Sequence, residues 1–125
     1  MAARIVYTGS ADSEAHKIDS NGNTIWKYTE HTSNLLGIAV DPSGNVYTGS
    51  LDNEAHKIDS NGNTIWKYTE HTSDLLGIAV DPSGNVYTGS AESEAHKIDP
   101  NGNTIWKYTE HTSNLLGIAV DPSGN

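Results

Sequence analysis

Two histidines recur in every forty residues of this chain, each close to a carboxylate, and they are the groups best suited to chemistry. His16 stands two positions after Glu14, so on a strand both side chains leave the same face and supply half of a metal site. His31 follows Glu30, but nothing in the spacing brings it to His16 within the same unit. Because zinc or copper needs three or four converging ligands, Glu14, His16 and His31 are candidates without a complete set, and no bound metal is expected. Ser10, His16 and Asp19 are nucleophile, base and acid by type only. No nucleophile-elbow sequence, phosphate loop or pair of carboxylates in an apolar setting accompanies them. Neither catalysis nor a cofactor is expected.

What must position these groups is a repeat. The unit 6–45 recurs at 46–85 and again at 86–125, and only the columns that begin at Ala11, Asp12, Ser13, Ser20 and Asn34 differ, which leaves 35 of 40 identical. Natural repeats drift once each copy acquires its own role, so this uniformity suggests a consensus or designed sequence, or a very recent amplification. It also argues against an enzyme, whose active site draws different residues from different loops. Units of this size bury their apolar faces against neighbours, so the chain is one repeat array.

Sixteen acidic residues against seven basic ones give a formal charge of −9, spread almost evenly over the units. A nucleic-acid partner needs a basic stripe to release counterions, whereas Lys17, Lys27 and their equivalents are isolated and outnumbered. Cysteine is absent, which excludes disulfides and thiolate metal sites. No apolar run approaches the roughly 18 residues needed to span a bilayer, and the first residues lack the apolar stretch of a signal peptide. A soluble, cytoplasmic protein with neither nucleic-acid nor membrane partners is expected.

Within a unit, Asp19-Ser20-Asn21-Gly22-Asn23 and Asp41-Pro42-Ser43-Gly44-Asn45 read as tight hairpin turns. Glycine accepts a positive φ, proline pre-sets its own φ, and the aspartate bonds to backbone N–H groups that follow it. Between the turns lie four segments rich in β-branched and aromatic residues: 35–41, 45–50, 54–59 and 64–70. No helical periodicity appears. Four antiparallel strands about every forty residues make an all-β fold, the signature of a β-propeller blade. The small-residue strand around Gly37 and Ala39 suits the crowded centre, and the aromatic strand suits the wide outer edge, where Trp26, Trp66 and Trp106 are expected to wedge between blades.

Lys17 to Trp26 resembles the tryptophan-docking motif of PQQ-like, quinoprotein-type propeller repeats, in which an aspartate opens a glycine turn and a tryptophan follows on the next strand. Gly37 to Tyr47 is similar to the strand-turn-strand of NHL-type repeats. The resemblance covers nearly the whole chain and implies blades. It carries over no quinone site, because no matching residues stand on these loops, and Lys17 replaces the small residue usual two positions before the aspartate.

The phase of the repeat matters as much as its length. Residues 4–10 read as the second strand of a blade whose first strand is absent, while 115–121 read as a first strand without the rest. Three blades are below the typical 4 to 8 of a closed ring. Ile5, Val6 and Tyr7 of one copy are therefore expected to pair with Leu116, Ile118 and Val120 of another. Three copies, making a nine-bladed homotrimer, are favoured, because the tryptophan motif is the more specific one; a six-bladed homodimer comes next. Columns 11 to 13 and 34 fall in loops on one face of such a ring. A lectin-like or peptide-binding propeller that repeats one pocket is the alternative to a scaffold.

Overall fold

The computed structural model of the chain describes residues 4–121. Every element is a strand. The first sheet contains β1 (Val6–Gly9), β2 (Ala15–Ile18) and β3 (Thr24–Tyr28). The second contains β4 (Leu35–Val40), β5 (Val46–Ser50), β6 (Ala55–Ile58) and β7 (Thr64–Tyr68). The third repeats it with β8 (Leu75–Val80), β9 (Val86–Ser90), β10 (Ala95–Ile98) and β11 (Thr104–Tyr108). Each sheet is an antiparallel meander in chain order. The strands are those anticipated, each shorter by one to three residues.

Three turns per unit fix this meander through short local bonds. Asp41 Oδ1 accepts from the N–H groups of Ser43 and Asn45 at 2.9 and 3.0 Å, while Gly44 takes φ +90°. Asp19 Oδ1 does the same for Asn21 and Asn23, with Gly22 at φ +86°. In the turn from β5 to β6, Asn53 lies at φ 69°, a left-handed conformation that asparagine tolerates better than most. Ser13 and Ser93 occupy the same place with φ of 72° and 71°.

The core lies between sheets. Ala15, Tyr28, Leu35, Val46 and Ile58 form one apolar cluster, from the first sheet to the second. Tyr47, Ala55, Tyr68, Leu75, Val86 and Ile98 form the next. Small residues allow close approach at the inner strands. A Cβ on Gly37 would lie 3.0 Å from Ile78 Cγ2, and one on Gly49 would lie 3.4 Å from Leu75 Cβ. Farther out, Trp26 covers Gly62 and its Nε1–H donates to the Ser60 carbonyl at 3.1 Å. Trp66 repeats this on Gly102 and the Pro100 carbonyl at 3.0 Å. Trp106 is 43% exposed.

One expectation is modified by the structure. Residues 115–121 form no strand within the chain. They nevertheless dock where a first strand belongs: Leu115 covers Gly89 as Leu35 covers Gly9, and its N–H donates to the Ser90 carbonyl at 3.1 Å, as that of Leu35 does to Ser10. Among the described residues no strand lies beside this segment, since β1 lies in the first sheet and the segment packs on the third. The last four positions of the third repeat, 122–125, and residues 1–3 fall outside the described residues.

Gly102 combines φ +90° with a site where a Cβ would lie 2.9 Å from Trp66. Gly102→Ala is expected to lower stability by about 1–2 kcal/mol or more, from backbone strain and collision together. A chemical-denaturation midpoint no lower than that of the parent would contradict this packing.

Candidate functional site

The histidines come together across units. His31, in the loop from β3 to β4, stacks on His56 of β6 with ring centroids 3.7 Å apart and planes 11° from parallel. Each side chain is fully buried. All four ring nitrogens have partners: His31 Nδ1 meets Asp52 Oδ2 at 2.8 Å and Nε2 meets Thr48 Oγ1 at 2.7 Å. His56 Nε2 meets Glu54 Oε1 at 2.8 Å, and Nδ1 meets Tyr28 Oη at 2.7 Å. Tyr28 comes from the preceding sheet and also meets Thr64 Oγ1 at 2.7 Å. His71, His96, Glu92, Glu94, Thr88, Tyr68 and Thr104 repeat the arrangement between the second and third sheets.

Partner chemistry fixes the protons. Carboxylates only accept, so His31 Nδ1 and His56 Nε2 each carry hydrogen, and both rings are then neutral only if their other nitrogens accept. Thr48 therefore donates to His31, and Tyr28 donates to His56 while accepting from Thr64. The network closes without an orphan, and among the described residues no buried side-chain polar atom lacks a partner. Burial, followed by the nearby His31, lowers the His56 pKa to about 4, and burial with the nearby His96 lowers that of His71 to about 4. Burial also pushes Tyr28 up to about 12. Burial raises Glu92, but hydrogen bonds from Ser90, His71 and Thr72 outweigh it and hold the carboxyl at about 2.

This arrangement is suited to holding sheets together and poorly suited to metal or catalysis. His31, Asp52 and His56 do bring three donor atoms within 4.8 Å of one another. In stacked rings, however, the ring-nitrogen lone pairs lie in two near-parallel planes about 3.7 Å apart and do not converge on one ion, and each nitrogen is already engaged. Glu14 and His16, at 2.8 Å, are bonded to each other, and His31 lies in a different cluster. Ser10 and Asp19 sit beyond opposite ends of β2, so the serine, histidine and aspartate do not assemble. A general base must also reach a substrate proton, which fully buried imidazoles do not.

The variable columns follow from the same contacts. Asp52 and Glu92 both supply the carboxylate to the histidine, so this column varies only between acids. Ser60 and Pro100 serve through backbone carbonyls that receive the tryptophan N–H and a lysine ammonium, so their side chains are free to differ. Asn34 and Asp74 likewise accept through backbone carbonyls, from Leu51 and Ala91.

Residues 22–59, which run from the glycine turn before β3 to the first residue of the turn after β6, match the family model of the WD40 repeat, the WD domain or G-beta repeat. With the four-stranded antiparallel meanders stacked face to face, this decides the architecture. The sheets are β-propeller blades. No curated protein matches the chain. The histidine network thus lies at the seam between consecutive propeller blades, where Trp26 and Trp66 also sit. All three tryptophans were expected between blades, and Trp106 meets no neighbouring sheet among the described residues; the network was missed, because its members belong to adjacent units. The one signal available was the retained acid at Asp12, Asp52 and Glu92 in a loop that otherwise varies.

Tyr68→Phe removes the hydroxyl that joins His96 to Thr104. Thermal melting should show a loss of about 1–3 kcal/mol, the range for leaving buried polar partners unsatisfied, and an unchanged melt would contradict the network. Acid should act in the same direction. Since the folded-state pKa of His56 and His71 is depressed to about 4 from 6.5, their contribution is complete above about pH 6.5 and is lost as pH falls towards 4. Denaturation midpoints that stay flat from pH 7 to pH 4 would exclude this linkage.

Proposed function

We propose that this protein is a structural, self-assembling propeller scaffold with no dedicated catalytic activity, whose copies close head to tail into a ring. The observation that carries this reading is the match between β1, which ends its sheet without a neighbour among the described residues, and the docked segment from Leu115 to Val120. In the second blade, Leu35, Gly37, Ile38, Ala39 and Val40 pair with Ser50, Gly49, Thr48, Tyr47 and Val46. The same residue types at Leu115, Gly117, Ile118, Ala119 and Val120 face Ser10, Gly9, Thr8, Tyr7 and Val6 of a second copy in the same register. Ring closure satisfies both open edges and lowers the exposure of Leu116 from 79% towards the 50% of Leu36, which holds the same place in a paired strand.

Head-to-tail contacts between identical chains make rings when the rotation closes. Three copies give nine blades and two give six; the trimer is our first expectation and the dimer the second. The repeat is read as a consensus or designed sequence of quinoprotein-type or NHL-like parentage, suited to soluble, cytoplasmic expression. No helix among the described residues is long and apolar enough to cross a membrane. A multivalent binding module is the other reading of a propeller with few dedicated groups, and the uniform blades support it by repeating whatever cleft they form.

Light scattering should return three times the 13.4 kDa chain mass, with twice that mass fixing the ring at six blades. Ile118→Pro combined with Ala119→Pro removes two adjacent N–H groups from a segment that joins no strand ladder among the described residues, so it should give folded single chains. A folded parent of single-chain mass would contradict closure.

A further inference from the structure

The first and third sheets each hold half of a histidine network whose counterpart is missing among the described residues. At one end Tyr108 and His111 keep the tyrosine–histidine contact found inside the array, with ring centroids 5.5 Å apart against 6.0 Å for Tyr28 and His31. Tyr108 is 46% exposed there, while Tyr68 at the internal seam is 2% exposed. At the other end His16 Nε2 already meets Glu14 Oε1 at 2.8 Å, and Asp12 Oδ1 accepts from the Glu14 N–H at 3.1 Å, as Asp52 does from Glu54. The His16 side chain is 26% exposed, whereas that of His56 is fully buried.

Other half-sites at the same ends agree in placement. Trp106 has its face partly open, and Gly22 is the counterpart of the glycines covered by Trp26 and Trp66, yet a Cβ there would meet nothing within 4 Å. Gly117, the counterpart of glycines that Ile78 and Ile118 cover, is equally open. A cleft of about 420 Å³ lies beside these groups, lined by Tyr87, Lys97, Trp106, Tyr108, Ile118 and Val120 among others. At the internal seams the equivalent positions meet the next blade.

Resting on the ring closure argued above, we propose that joining two copies completes a third buried network, built from Tyr108 and His111 of one copy and Thr8, Asp12, Glu14, His16 and Thr24 of the next, and that acid therefore opens the ring before it unfolds the blades. The repeat assigns each contact. His111 stacks on His16 and bonds to Thr8 and Asp12, as His31 does with His56, Thr48 and Asp52. Tyr108 donates to His16 and accepts from Thr24, as Tyr28 does with His56 and Thr64. The charged groups that face the stack are Glu110 from one copy and Asp12, Glu14 and Lys27 from the other, by analogy with Glu30, Asp52, Glu54 and Lys67.

The protons make the seam sensitive. Protonating both rings removes the acceptors for Thr8 and Tyr108 and places two cations about 3.7 Å apart in a dry seam, using the internal stack as the measure. At an internal seam the rings meet water only when covalently connected blades come apart. At the joint between copies they meet water when the ends separate, which dilution also favours. The joint should accordingly yield first as pH falls.

The test follows the mass of the full-length chain by light scattering from pH 8 to pH 4, with the tryptophan near-ultraviolet circular dichroism recorded on the same samples. A multi-chain mass at pH 8 that falls to 13.4 kDa between about pH 6.5 and pH 4, while the dichroism persists, is the expected result. A multi-chain mass that persists until the dichroism is lost overturns the switch and leaves the ring intact as a reading. A single-chain mass already at pH 8 overturns the ring itself, and the switch with it. His111→Gln, exposed in the single chain and outside the internal networks, should weaken assembly at pH 8 by about tenfold in dissociation constant, the scale of one buried hydrogen bond. The same dissociation constant and the same pH midpoint as the parent would show that these histidines do not govern the joint.

Discussion

No blade in this protein can bury its own faces, and the contact between one blade and the next is the constraint on which the rest depends. The contact has three parts at increasing distance from the inner strand. Leu75 covers Gly49 and Ile78 crowds Gly37, the stacked histidines fill a polar layer with every nitrogen engaged, and tryptophan covers a positive-φ glycine. Apolar burial supplies most of the attraction. The histidine layer supplies register, because a slip of one residue along β6 would turn His56 to the opposite face and strand Tyr28, Glu54 and the stacked ring.

That division explains why the repeat tolerates change in only five columns. Side chains that serve through their backbone vary, the one variable side chain in the network changes between Asp and Glu, and the left-handed turn position carries serine or asparagine. The same logic bears on function. At the internal seams, groups with the chemical character of bases and ligands are engaged by the neighbouring blade, so His31, His56, His71 and His96 have no open surface on which to act. An array that devotes its polar chemistry to holding consecutive blades fits the scaffold proposed above.

Strands and turns were legible in the sequence because their causes are local. The glycine at φ +86° in Asp19-Ser20-Asn21-Gly22-Asn23 and the β-branched and aromatic runs on either side are written within ten residues. The network was not legible for the opposite reason. His31 finds Asp52 at a separation of 21 residues, and Tyr28 finds His56 at 28, and each pair straddles a unit boundary that invites one to read within it. Glu14 and His16 do meet, at 2.8 Å, and in the equivalent pair of the next unit the Glu54–His56 bond leads on to Tyr28 and the stacked His31, both from beyond the unit boundary. The fate of 115–121 was also beyond local reading: its apolar pattern says strand, yet a strand forms only where a second one lies beside it.

The central claim is that the segment docked against the third blade is the missing inner strand of another copy. Hydrogen exchange at the amides from Leu116 to Val120, measured at neutral pH and high protein concentration, addresses it most directly. If copies close into rings, these amides are protected to the same degree as those from Leu76 to Val80 in β8, and the protection falls on dilution. Exchange at the rate of an open chain at every concentration, with β8 still protected, would contradict it.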